Sequence, residues 1–201
     1  MSGIIAQNSG RHTGLVKASS GGGGVWNLIE TLTASSSATL DFTSGIDDTY
    51  DEYVFKFNNI HPETDSTDLS FQGNAVGGSG FNETITSTLF RAYHGEDDGG
   101  ATLAYYDTLD QAQGTGFQAL CENVGNDNDA QLSGTLQLFA PSDTTFVKHF
   151  IARTVIYAES NYAVDNCIAG YFNTTSAIDE IQFKMDSDNI DSGTISLYGI
   201  S

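Results

Sequence analysis

Beyond residue 24, apolar and polar residues alternate with a period of two. Ala38-Thr39-Leu40-Asp41-Phe42 is one such run, and Tyr53-Val54-Phe55-Lys56-Phe57 is another, with Lys56 sent to solvent. Leu69-Ser70-Phe71 is a shorter example, and Leu132-Ser133-Gly134-Thr135-Leu136-Gln137-Leu138 a longer one. Ile181-Gln182-Phe183-Lys184-Met185 and Ile195-Ser196-Leu197 close the series. Trp26-Asn27-Leu28 opens it, and residues 146–157 are dense in β-branched and aromatic side chains. A period of two puts successive side chains on opposite faces, so each run predicts a half-buried strand. No stretch carries a 3.6-residue period, and residues 101–119 have room for a helical turn at most.

Glycine and Asp/Asn clusters punctuate the runs: Gly77-Gly78-Ser79-Gly80, Asp97-Asp98-Gly99-Gly100, Gly125-Asn126-Asp127-Asn128-Asp129 and Asp191-Ser192-Gly193. These residues supply the backbone conformations and local hydrogen bonds that tight turns need. Eight to eleven short strands joined by polar turns predict an all-β, antiparallel β-sandwich or jelly roll. Longer loops are expected near residues 74–88 and 95–115. A chain of 201 residues suffices for one domain with its own core.

Charge divides the chain. Seven Lys+Arg oppose 26 Asp+Glu, a formal net charge of −19. Residues 1–20 hold Arg11 and Lys17 and no acid, which leaves five cations against 26 acids for the remainder. Ser19-Ser20-Gly21-Gly22-Gly23-Gly24 reads as a flexible linker. The predicted organisation is therefore an extended N-terminal arm over residues 1–24 and a single sandwich over residues 25–201. Ile4, Ile5, Arg11, Leu15, Val16 and Lys17 are the candidate docking residues of the arm. An acidic body repels phosphate backbones and anionic lipid, which excludes nucleic-acid binding and lipid adhesion by that body. No apolar run approaches the ~20 residues of a membrane-spanning helix. Met1-Ser2-Gly3-Ile4-Ile5-Ala6 lacks the basic start and apolar core of a secretory signal, so synthesis in the cytoplasm of whatever cell translates it is expected.

Catalytic patterns are weak. The G-x-S-x-G nucleophile elbow is missing, and His12, His61, His94 and His149 show no ligand spacing. His94 with Glu96, Asp97 and Asp98 reads as a solvated loop. Cys121 and Cys167 are expected as free, buried thiols. The chain is thus expected to be no enzyme and to need no cofactor, with calcium as the one ion its oxygens could take. Asp186, Asp188 and Asp191, spaced within six residues, are the candidate ligands, with Asp127-Asn128-Asp129 a second oxygen-rich turn. The competing reading is a polar turn bonded to its own backbone. Tyr93, Tyr105, Tyr106 and Tyr162 fall in loop-like stretches, where tyrosine stacks on sugars or anchors protein contacts.

Several segments carry a resemblance. They are Asp41-Phe42-Thr43-Ser44-Gly45-Ile46-Asp47 with Tyr50-Asp51, Asn59-Ile60-His61-Pro62, the run from Phe172 to Phe183, and the close Gly193-Thr194-Ile195-Ser196-Leu197-Tyr198-Gly199-Ile200. Together with the arm from Ser2 to Lys17, they resemble a family of small structural proteins of tailed phages of marine bacteria. The resemblance spans most of the chain. It implies a place on the virion exterior and carries over no functional residue. On that footing the first expectation is a tail-associated, fibre- or adhesin-type component. Its arm would dock on other virion proteins, and its body would meet a host-surface glycan. The alternative is a decoration (cement) protein docked on the major capsid protein. Both expect a homo-oligomer, a trimer by preference. A carbohydrate-active enzyme or free lectin ranks last.

Overall fold

The computed structural model describes residues 24–201. The arm residues Ile4, Ile5, Arg11, Leu15, Val16 and Lys17 lie outside the described residues. The expected antiparallel sandwich is what forms, from two sheets of unequal width. The thirteen strands among the described residues exceed the eight to eleven expected. They are β1 (Trp26–Thr33), β2 (Leu40–Phe42), β3 (Glu52–Pro62), β4 (Leu69–Ala75), β5 (Ile85–Gly95), β6 (Ala101–Tyr105), β7 (Ala112–Gly114), β8 (Gln118–Ala119), β9 (Leu132–Phe139), β10 (Lys148–Ala158), β11 (Tyr162–Phe172), β12 (Ile178–Met185) and β13 (Ile190–Ile200).

The wide sheet has nine strands, ordered β1-β13-β3-β9-β10-β11-β5-β6, with β7 also paired to β5. The narrow sheet has four, ordered β2-β12-β4-β8. Every strand pairing is antiparallel. The β10–β11 hairpin keeps unbroken register from Lys148↔Phe172 to Ala158↔Tyr162. That register fixes which residues share a face. Phe150, Ala152, Thr154 and Ile156 point inward, and His149, Ile151, Arg153 and Val155 point outward.

Two sheets become one body through phenylalanine. Phe183 on β12 lies 5.2 Å from Phe55 and 5.3 Å from Phe57, both on β3 of the other sheet. Phe71 on β4 meets Phe150 at 5.1 Å and Phe172 at 6.1 Å across the same gap. Most of these ring pairs are edge-on, the geometry that the aromatic quadrupole favours. All seven rings of this cluster, Phe42 included, are buried. A polar layer sits beside the rings. Gln72 Nε2 donates to the carbonyls of Glu83, Thr115 and Gly116, and Gln118 Nε2 donates to those of Leu109 and Ala119. With the Ser87 hydroxyl of β5, which donates to Gln118 Oε1 and accepts from the Gln111 N–H, these bonds hold the stretch between β6 and β9 against both sheets.

Several sequence expectations need correcting. Residues 101–119 hold three short strands and no helical turn, because their backbone pairs with β5 and β4. The expected loop at 74–88 shortens to the stretch between β4 and β5. Asp191-Ser192-Gly193 is not a turn but lies inside β13, where the register slips against β3. Gly193 adopts φ +112°, and a Cβ there would meet the Asn59 carbonyl oxygen at 2.4 Å. Cys121 is a free, buried thiol as expected; Cys167 is free but only half-buried.

Two outcomes test this account. Phe183→Ala should lower the unfolding free energy by about 3–5 kcal/mol in urea titrations, the ordinary cost of emptying a phenylalanine site. Gly193→Ala should cost at least about 1 kcal/mol in the same assay, because both the positive φ and the Asn59 backbone oppose a side chain.

Candidate functional site

The inward face of β5 carries Arg91 and Tyr93, two residues apart and therefore on one side of the strand. On the neighbouring β11, Val164 pairs with Tyr93, and Tyr162 follows on the same face. Glu122 and Asn123 come from the segment after β8, Tyr106 from the residue after β6, and Ala158, Glu159 and Ser160 from the β10–β11 turn. These groups enclose a cleft of about 250 Å³.

Backbone bonds set the positions of its walls. Tyr106 N–H donates to the Leu89 carbonyl at 3.0 Å, and Asn123 N–H donates to Asp68 Oδ1 at 2.8 Å. Glu159 N–H donates to the Asn123 carbonyl at 3.1 Å, which ties the hairpin turn to the segment after β8.

Arg91 organises the interior. Its Nη1 lies 2.6 Å from Glu122 Oε2, with both side chains largely withdrawn from water. Its guanidinium carbon sits 3.8 Å from the Tyr106 ring centroid and 5.8 Å from that of Tyr93. Tyr93 in turn meets Tyr162 edge-on at 5.3 Å. Arginine suits this place because its flat, weakly hydrated cation stacks on a ring while its edge pairs with a carboxylate.

Asp68 lies next to this pair. Burial is the main cause that pushes its pKa up to about 6; repulsion from Asp186 and Glu122 adds to this, while the Asn123 N–H and Arg91 oppose it.

Three of the four tyrosines singled out in the sequence, Tyr93, Tyr106 and Tyr162, converge on the cleft. Tyr93 and Tyr162 belong to strands rather than to loops. Tyr105 points the other way: it is exposed on β6, and its hydroxyl donates to Asp110. Arg91, Glu122 and Asn123 were not anticipated. A signal for Arg91 existed, since it is one of five cations after the linker and shares the i, i+2 face of Tyr93.

The proposed calcium ligands diverge. Asp186 Oδ1 accepts from the Asp68 N–H at 2.9 Å and from the Thr67 hydroxyl, Asp188 accepts from the Thr64 hydroxyl, and Asp191 accepts from the Ser36 hydroxyl at 3.4 Å. Each carboxylate thus serves a different protein donor. Among the described residues, no group of three or more His, Cys, Asp or Glu side chains is arranged to hold a metal ion. His94 and Asp98 form an exposed contact at 3.1 Å.

A second feature is the outward face of the wide sheet. Phe90, Leu103, Tyr105, Ile151 and Val155 are exposed there on adjacent strands. Ala92 and Ala169 fill positions between them, and one two-pronged pair, Arg153 with Asp165 at 2.9 and 2.7 Å, crosses the face. Among the described residues, no helix is long and apolar enough to cross a membrane.

Comparison with known protein families, with curated proteins and with solved structures finds no match for this chain.

The Asp68 carboxyl yields a signed pH prediction. Because its pKa in the fold exceeds the ordinary 3.8, the folded state takes up a proton between pH 3.8 and about 6. Stability contributed by this group therefore falls as pH rises through that window. Asp68→Asn should match wild type below the window and be the more stable of the two above it. Urea midpoints measured on both sides of the window check this; a difference independent of pH would contradict it.

Proposed function

We propose that this chain is a non-enzymatic structural protein of a tailed phage particle, a tail-associated component of adhesin type. In this reading residues 1–24 dock on other virion proteins, and the acidic sandwich faces outward as one copy of a homo-oligomer. The observation that carries the reading is the outward face of the wide sheet. Five large apolar side chains exposed on one sheet face, around a single ion pair, are the mark of a surface made for contact. Copies of the same chain related by closed symmetry are the simplest cover for it. The resemblance to small phage structural proteins supplies the particle. The separation of a basic arm from an acidic body supplies the polarity, with one end for attachment and the other for display.

Other features agree with a role without catalysis. Glu122 is paired with Arg91, and the Cys121 thiol is buried and pushed far above its ordinary pKa by desolvation. Neither is prepared to act as base or nucleophile.

Imaging of particles that carry the chain tests the assignment. Density on the tail in few copies is the expected result; density spread over the head would replace the tail role with head decoration. Deleting residues 1–20 should abolish incorporation while leaving the sandwich folded. In sedimentation experiments the wild-type chain should form a defined oligomer, and Ile151→Glu combined with Val155→Glu should dissociate it. A monomeric wild type would refute self-association through this face.

A further inference from the structure

We propose that the Arg91 cleft binds one neutral pyranose ring, the terminal residue of a surface glycan. The inference deepens the adhesin reading by naming the ligand class and the site.

Charge and size narrow the ligand. An anion is disfavoured, because the guanidinium lining the cleft is paired through Nη1 with Glu122 at 2.6 Å, and Glu159 adds a further negative charge at the rim. The chain's net charge of −19 repels anions from afar as well. A cationic ligand would meet the Arg91 guanidinium, which already holds the cation's place 3.8 Å over the Tyr106 ring and beside Glu122. That leaves a neutral molecule.

Its shape follows from the walls. Tyr162, whose ring carries no guanidinium, offers apolar ring surface with a polar hydroxyl tip, and Tyr93 stands edge-on to it at 5.3 Å. Glu122, Asn123 and Ser160 place a carboxylate, an amide and a hydroxyl around that surface. A pyranose has the matching form, with a C–H face for the rings and a perimeter of hydroxyls for the polar groups. At about 250 Å³ the cleft is smaller than the ~300–1,000 Å³ of sites for drug-sized ligands, so it admits one ring and not a chain of them. The polar groups are also fixed in advance: Arg91 holds Glu122, and the Asn123 side-chain oxygen accepts from the Ser66 hydroxyl at 3.1 Å. Binding therefore orders little that is not already ordered.

The test is saturation-transfer NMR on the full chain with methyl glucoside, methyl galactoside and methyl mannoside, and with glucuronate and choline as charged probes. At least one methyl glycoside should bind saturably, with the ring C–H protons receiving most of the transfer. Glucuronate and choline should bind at least ~10-fold more weakly, a gap of about 1.4 kcal/mol. Tyr162→Ala should abolish binding. Because that variant removes a packed ring, Ser160→Trp serves as the second: it fills the cleft mouth from an exposed turn, and should abolish binding with the melting temperature unchanged. No saturable glycoside binding, equal binding to Ser160→Trp, or preference for a charged probe would each overturn the proposal. Binding of the free reducing sugars but of none of their methyl glycosides would overturn the glycan end as the source. All of these readouts use the isolated chain, so they stand or fall independently of where the protein sits on a particle.

Discussion

Phe183 touches Phe55 and Phe57 across the gap between the sheets and Phe42 and Phe71 within its own. The narrow sheet has only four strands, two of them very short, so it owns little core of its own. Burying Phe42, Phe71 and Phe183 against the wide sheet is what offsets the entropy of ordering those strands. The wide sheet depends on the same contact, since β3, β10 and β11 turn Phe55, Phe57, Phe150 and Phe172 into that space. Every other feature of the molecule is arranged around this aromatic seam.

Unequal width has consequences at both surfaces. Inside, the narrow sheet ends at β8, and the stretch between β6 and β9 passes from the wide sheet, where β7 pairs with β5, to the narrow one, where β8 pairs with β4. Gln72 and Gln118 secure that stretch by side-chain bonds to carbonyls, where a paired strand would use its backbone. Outside, the wide sheet turns an uncovered face to its surroundings, with Phe90, Leu103, Ile151 and Val155 exposed on it. Thus the molecule has a small cleft on the inner side of the wide sheet and exposed apolar side chains on its outer side.

Most readable from the sequence were the strands whose inward positions are apolar. β3, β9 and β12 alternate cleanly, because Phe55 and Phe57, Leu136 and Leu138, and Ile181 and Phe183 all point inward. The strands that could not be read put polar residues inside. Asn166 on β11 is buried and donates to the Thr154 hydroxyl, and Ser87 on β5 bonds Gln118. An inward amide or hydroxyl breaks the alternation on which the reading depends, and its hydrogen bonds exist only once a distant segment arrives. The expected loop at 95–115 was misjudged for a related reason: β6 and β7 are edge strands whose outward residues have no core to face.

The sequence by itself determined the class of fold, the acidic character of the sandwich and the tyrosines worth attention, because periodicity, charge and residue type are local properties. It also set Gly193 apart, though as a turn and not as the slip in β13 that it is. Only the tertiary structure decided the division into nine and four strands, the separation of Tyr105 from its three companions, and the pairing of Arg91 with Glu122. Arg91 and Glu122 are 31 positions apart and sit on elements that meet only because the segment after β6 crosses between the sheets. Such a meeting is a product of packing, and no short stretch of chain encodes it.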